Sequence, residues 1–243
     1  MARTLAAQPE LRSPTIGSRT PGDNTSPLAH ELDRITRWGL WALPVWAVLL
    51  FVGTVDHQPD TRTDFAGFAR YVTTPEFLAS HIVASIIGAG IGVLGLLGLF
   101  MFLALRVRSR LAAAGLAMAV VGNVMLTAVF GLAAFGQVAV GRLYLAGHTA
   151  EAVAIYDDMY GVPLAATAAA GILLLVIGIT ALGIAITRSR VLTRWVGIGL
   201  PVSIVVFGVV GAILNDFVQT IGAALLIVTT LWLAYSARRA PAL

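Results

Sequence analysis

Asp216, Gln219 and Thr220 follow one another at spacings of three and four, which would put their side chains on one face of a helix. An aspartate at a helix start is favoured by the helix dipole and is a common turn residue. Drawn into apolar surroundings it would instead hold its proton and become a proton donor or a cation partner. Glu76 is the other carboxylate at the start of an apolar run on the same predicted side, so Asp216 and Glu76 are the candidate general acids, with Tyr144, Tyr156 and Tyr160 as helpers. His81 stands about one turn inside an apolar run, where an imidazole can relay protons, ligate a metal or bond a neighbouring carbonyl. Haem clamped by two histidines would need a partner at matching depth, and His30, His57 and His148 are all predicted elsewhere. Asn123 falls near the middle of its run, with Thr127 one turn on. An unpaired amide there would cost several kcal/mol, so it must face another helix or a cavity. The candidate ligand-binding set is therefore Asn123, Thr127, His81, Gln219 and Thr220.

Other chemistry finds little footing. The segment Asp56-His57-Gln58-Pro59-Asp60 with Asp64, and the later His148, Glu151, Asp157 and Asp158, are oxygen-rich, but their spacing matches no calcium or zinc pattern. They read as a solvated acidic surface, and no metal site is expected. With 0 cysteines there is no disulfide, thiol nucleophile or iron–sulfur cluster. No nucleophile elbow, zinc-protease helix or phosphate-gripping glycine loop is present. No cofactor is expected.

The elements that must position these residues are apolar. Of 243 residues, 58% are hydrophobic and 12% charged, too little polar surface to cover a soluble globule, so lipid must supply the missing solvent. At roughly 20 residues per span, six runs qualify: about Trp38–Val55, Phe77–Leu105, Leu111–Phe135, Leu164–Thr187, Trp195–Leu214 and Phe217–Tyr235. The predicted fold class is an all-α integral membrane protein, a six-transmembrane-helix bundle over residues 28–239. Residues 1–27, with Pro9, Pro14, Pro21, Gly22 and Pro27 among Ser, Thr and Arg, read as a disordered cytoplasmic tail. A secretory signal would bring an apolar core close behind an early basic region. Here the first apolar run starts at Trp38 and is expected to stay as an anchor.

All 16 basic residues are arginine, and they set the orientation. With the amino terminus inside, Arg34, Arg37, Arg106, Arg108, Arg110, Arg188, Arg190, Arg194, Arg238 and Arg239 lie at inner helix ends, against Arg62, Arg70 and Arg142 outside. That bias predicts both termini in the cytoplasm and a plasma-membrane location. A net charge of +4 distributed in this way reflects headgroup anchoring, not nucleic-acid binding. Two outer loops are predicted to carry short surface helices, one around Phe65, Phe68, Tyr71 and Val72, the other from Thr149 to Tyr160. Thr73 and Glu76 read as a capping box opening the second span.

Small residues at spacing four predict the seams: Ser80, Ala84, Gly88 and Gly92 in the second run, and Gly115, Ala119, Asn123, Thr127 and Gly131 in the third. Thr36-Arg37-Trp38 and Leu43-Pro44-Val45 recur as Thr193-Arg194-Trp195 and Leu200-Pro201-Val202, and a proline at that depth predicts a kink.

These features support first a bundle that binds or passes a small apolar or amphipathic molecule. The alternative is a membrane-embedded enzyme acting on a lipid-soluble, isoprenoid-like substrate through carboxylate general acids. In size and format alone it is similar to the small multi-helix terpene cyclases of membranes. The second alternative is an accessory subunit of a membrane complex. Expected partners are the lipid bilayer, a small apolar ligand, and another membrane protein or a second copy.

Overall fold

The computed structural model describes residues 27–55 and 58–241, and all regular structure among them is helical. The predicted tail, except Pro27, lies outside the described residues, as do Asp56 and His57. Six helices are long and apolar enough to cross a membrane: α1 (Pro27–Val55), α3 (Pro75–Ala104), α4 (Arg110–Leu145), α6 (Val162–Ser189), α7 (Arg194–Leu214) and α8 (Asp216–Arg239). Two shorter helices lie in the loops, α2 (Phe65–Val72) and α5 (Thr149–Met159).

The six long helices close into a ring in chain order, each packed on the next, with α8 returning to α1. In such a ring the seams decide the shape. Apolar side chains gain nothing by leaving lipid for one another, so close backbone approach and interhelical hydrogen bonds must hold the helices together. Four seams are made by glycine. Gly92, Gly95 and Gly98 of α3 press on Trp46, Leu43 and Gly39 of α1, where an added Cβ would come within 3.0 Å of its neighbours. Gly122 of α4 meets the Gly171 carbonyl and Leu175 amide of α6, where a Cβ would come within 2.5 Å of both. Gly183 of α6 faces Gly197 of α7, and Gly222 of α8 faces Phe207 of α7. Side-chain hydrogen bonds tie the remaining two seams. Asn123 of α4 donates to the Ala89 carbonyl of α3 at 2.8 Å, and Thr220 of α8 donates to the Thr54 carbonyl of α1 at 3.0 Å.

The helix ends differ from expectation in three places. α1 starts at Pro27, not near Trp38, adding a polar stretch that carries Glu31, Asp33, Arg34 and Arg37. Its helix pauses at Leu40 and Trp41. Pro44 has no N–H for the Leu40 carbonyl, which takes the Leu43 amide at 3.2 Å instead. Pro201, the matching proline of α7, sits inside a helix that continues to Val205, so the two prolines do different things. α4 runs past Phe135 to Leu145 through a widened π turn at Leu132–Gln137. The cap of α3 is Thr74, which accepts from the Phe77 amide at 3.2 Å. Thr73 instead donates back to the Ala69 carbonyl at the end of α2, at 2.9 Å.

Two further π stretches interrupt α3 at His81–Ile87 and α7 at Val206–Val210. Such turns shift the register of the side chains beyond them and recur at functional sites.

Candidate functional site: a cavity inside the helix ring

Arginine marks one end of the ring. Arg37 donates to the carbonyls of Ala237, Ala240 and Pro241 where α8 ends, and Arg106 donates to Pro241 at 3.2 Å. Asp33 pairs with both, at 2.9 Å to Arg37 and 2.6 Å to Arg106. The Arg106 guanidinium lies 3.8 Å from the centre of the Phe102 ring, so its apolar face is covered as well. Guanidinium groups at a helix C-terminus complement the dipole and satisfy its last carbonyls. This cluster fastens α1, α3 and α8 together. Asp33 is its hub; its i,i+4 spacing to Arg37 is legible in the sequence, whereas its pairing with the distant Arg106 is not.

The opposite end carries α2 and α5. Phe65, Phe68, Tyr144, Tyr156 and Tyr160 form one cluster of ring contacts, with Tyr71 and Phe77 as a further pair, ring centres 4.6 to 5.6 Å apart. Gln137 donates to the Tyr160 hydroxyl, while its Oε1 is buried without a partner. Burial, then the neighbouring Tyr156, pushes the Tyr160 phenol up to about 12, with the Gln137 hydrogen bond acting the other way. Tyr160 therefore stays protonated at any physiological pH.

Between the two ends, towards the loops, the ring encloses a cavity of about 280 Å³ that all six long helices line. Its walls include Leu49 and Leu50 of α1, Leu126 and Phe130 of α4, Ile172 of α6 and Phe207 of α7. Two of the three π stretches contribute directly: His81, Ala84 and Ser85 from α3, and Phe207 and Gly208 from α7. The polar residues in the lining are Thr54, His81, Ser85 and Gln219, and no charged residue is among them.

Partners separate these polar groups. The Thr54 hydroxyl donates to the Phe51 carbonyl at 3.0 Å, so its proton is used. The His81 ring centre lies 4.0 Å from that of Phe77, the planes tilted by 36°, and its Nδ1 lies 3.0 Å from the Phe77 carbonyl. A carbonyl only accepts, so Nδ1 carries the proton, and the Nε2 of the neutral ring is a bare acceptor. Among the described residues, Nε2, the Ser85 hydroxyl and the Gln219 side-chain amide have no hydrogen-bond partner. None of the three is sealed away, since the buried orphan atoms are Trp41 Nε1 and Gln137 Oε1.

The predicted ligand-binding set thus divides. His81 and Gln219 line the cavity. Asn123 is buried and spends its amide on Ala89, Thr127 donates to the Asn123 carbonyl at 2.7 Å, and Thr220 shares its proton between the carbonyls of Thr54 and Asp216. The two predicted general acids, Glu76 and Asp216, are exposed at the starts of α3 and α8 and are not part of the lining. Sequence reading missed Ser85, although it stands four residues from His81 and so shares its face. Among the described residues no three acidic or histidine side chains gather as a metal ion would require. His148 pairs loosely with Glu151 at 3.6 Å, and both are exposed.

Together these features have the format of a multi-pass helical membrane protein with an internal, largely apolar cavity. No family model, curated protein or solved structure matches the chain.

Proposed function

We propose that this chain is a plasma-membrane protein, with both termini in the cytoplasm, that binds or passes a small apolar or amphipathic molecule through the cavity of its helix ring. One observation carries the reading: an apolar cavity of about 280 Å³ is lined by His81, Ser85 and Gln219, whose Nε2, hydroxyl and side-chain amide have no hydrogen-bond partner. Apolar pockets with a few convergent polar groups are where small ligands bind, and a polar group facing hydrocarbon is costly unless something pairs with it. The helices α6 and α7 touch tightly at the arginine end, through Gly183 and Gly197, and more loosely near the cavity, where a Cβ on Gly208 would be in ordinary contact with Ile172 at 3.7 Å.

The enzyme reading, with Glu76 and Asp216 as acids on an isoprenoid-like substrate, draws less support because both carboxylates are solvent-exposed and outside the lining. Nothing observed favours the accessory-subunit reading over the ligand-binding one.

Filling the cavity tests the proposal. Gly208→Phe adds a ring where space is free and should abolish saturable uptake of 4-propylphenol by the protein in lipid nanodiscs, followed by saturation-transfer NMR. Wild-type uptake no greater than that of protein-free nanodiscs would remove the basis for the reading.

A further inference from the structure

We infer that the cavity selects a neutral, lipid-soluble molecule whose head carries a hydroxyl, an alcohol or phenol that donates its proton to His81 Nε2. The inference rests on the ligand-binding reading above and specifies its chemistry.

The argument starts from the carbonyl of Phe77. By accepting from Nδ1 at 3.0 Å it fixes the tautomer, so the nitrogen left for a ligand offers a lone pair and nothing else. The Ser85 hydroxyl and the Gln219 amide each both donate and accept, so they adapt to almost any polar head. His81 alone discriminates. An ether or ketone would set oxygen lone pairs against that of Nε2 and leave the nitrogen unpaired in an apolar space, whereas a hydroxyl satisfies it. The tilted contact with the Phe77 ring, centres 4.0 Å apart, and the second contact of Nδ1 with Ser80 Oγ at 3.4 Å hold the imidazole in this orientation.

Charge narrows the class further. The lining holds no Asp, Glu, Lys or Arg, so neither a carboxylate nor an ammonium would find a permanently charged counter-ion, and the head is neutral. Size sets a third limit. A cavity of about 280 Å³ falls just under the roughly 300–1,000 Å³ of pockets for drug-sized ligands, so it takes a single ring or a short branched head. Phe207, Phe130 and Ile172 supply apolar wall for the rest of the molecule.

A matched pair of probes isolates the hydroxyl. 4-Propylphenol and its methyl ether, 4-propylanisole, share a ring and a tail, but only the phenol donates. The wild-type protein in nanodiscs should bind the phenol about fivefold more tightly than the ether after correction for lipid partitioning, the worth of one neutral hydrogen bond. His81→Phe should erase that preference, and His81→Gln, which keeps an acceptor, should retain part of it. In protein labelled with ¹⁵N histidine, the Nε2 resonance that disappears in His81→Gln should shift with the phenol and stay in place with the ether, a readout that needs no substituted protein to bind ligand. Equal binding of the two probes by the wild type would overturn this inference while leaving the cavity reading standing, as would a full phenol preference in folded His81→Phe. Saturable binding of neither probe would remove both.

Discussion

Asn123 and His81 both bring polar atoms into apolar surroundings, and they differ in how those atoms are used. The Asn123 amide is committed to a carbonyl on the neighbouring helix, whereas His81, which lines the cavity, commits one nitrogen and leaves the other without a partner. They should therefore respond differently to substitution. Asn123→Leu removes one interhelical hydrogen bond, worth about 0.5–1.5 kcal/mol. It should lower the unfolding midpoint in detergent while leaving 4-propylphenol binding unchanged, because Asn123 does not line the cavity. Thermal denaturation beside NMR binding checks this, and weakened binding at full stability would reassign the residue to the site. The sequence marked both residues as unusual. The Phe77 carbonyl stands one turn before His81 and is a matter of spacing, whereas the partner of Asn123 depended on where Ala89 of the neighbouring helix presents its carbonyl.

At the scale of the element, glycine carries much of the information. Gly122 and Gly90 both lie in apolar helices, yet an added methyl would meet backbone at 2.5 Å in the first case and nothing within 4 Å in the second. Gly122→Ala should force α4 and α6 apart and cost about 1–3 kcal/mol or more. Gly90→Ala should be neutral or stabilise by roughly 0.5–1 kcal/mol through helix propensity. Paired melting curves decide it, and equal midpoints for the two variants would contradict the seam. Element-scale features were unevenly legible. Six apolar runs and the row from Gly88 to Gly92 were evident from residue type, since hydropathy and small-residue spacing are local. The three π stretches were not, because His81–Ile87, Leu132–Gln137 and Val206–Val210 have no common composition. A π turn arises where packing demands a side-chain register that an unbroken α-helix cannot supply. The polar start of α1 was also missed. Its Asp33 is buried only because Arg37 and Arg106 converge on it from separate helices.

At the scale of the molecule, an arginine cluster marks one end. Arg108 and Arg188, from different interhelical loops, line the same recess, and Arg37 reaches the end of α8. If that end faces the cytoplasm, as we propose, an impermeant maleimide applied outside intact cells should label Ala146→Cys and not Arg108→Cys. The chain has 0 native cysteines, so each variant reports a single position. The reverse labelling would invert the proposed orientation and move the aromatic end and its cavity to the inner leaflet.

The return of α8 to α1 makes the order of helices along the chain incidental to the packing. Arg37, in the polar first part of the first long helix, holds the Pro241 carbonyl at 2.9 Å, just past the close of the last. A short linker could splice them, and the polypeptide could be opened afresh between Arg108 and Ser109. The rearranged chain would begin and finish on the same side as before, because it would still cross six times. A circularly permuted version would keep every interhelical seam while changing which pair of helices leaves the ribosome first.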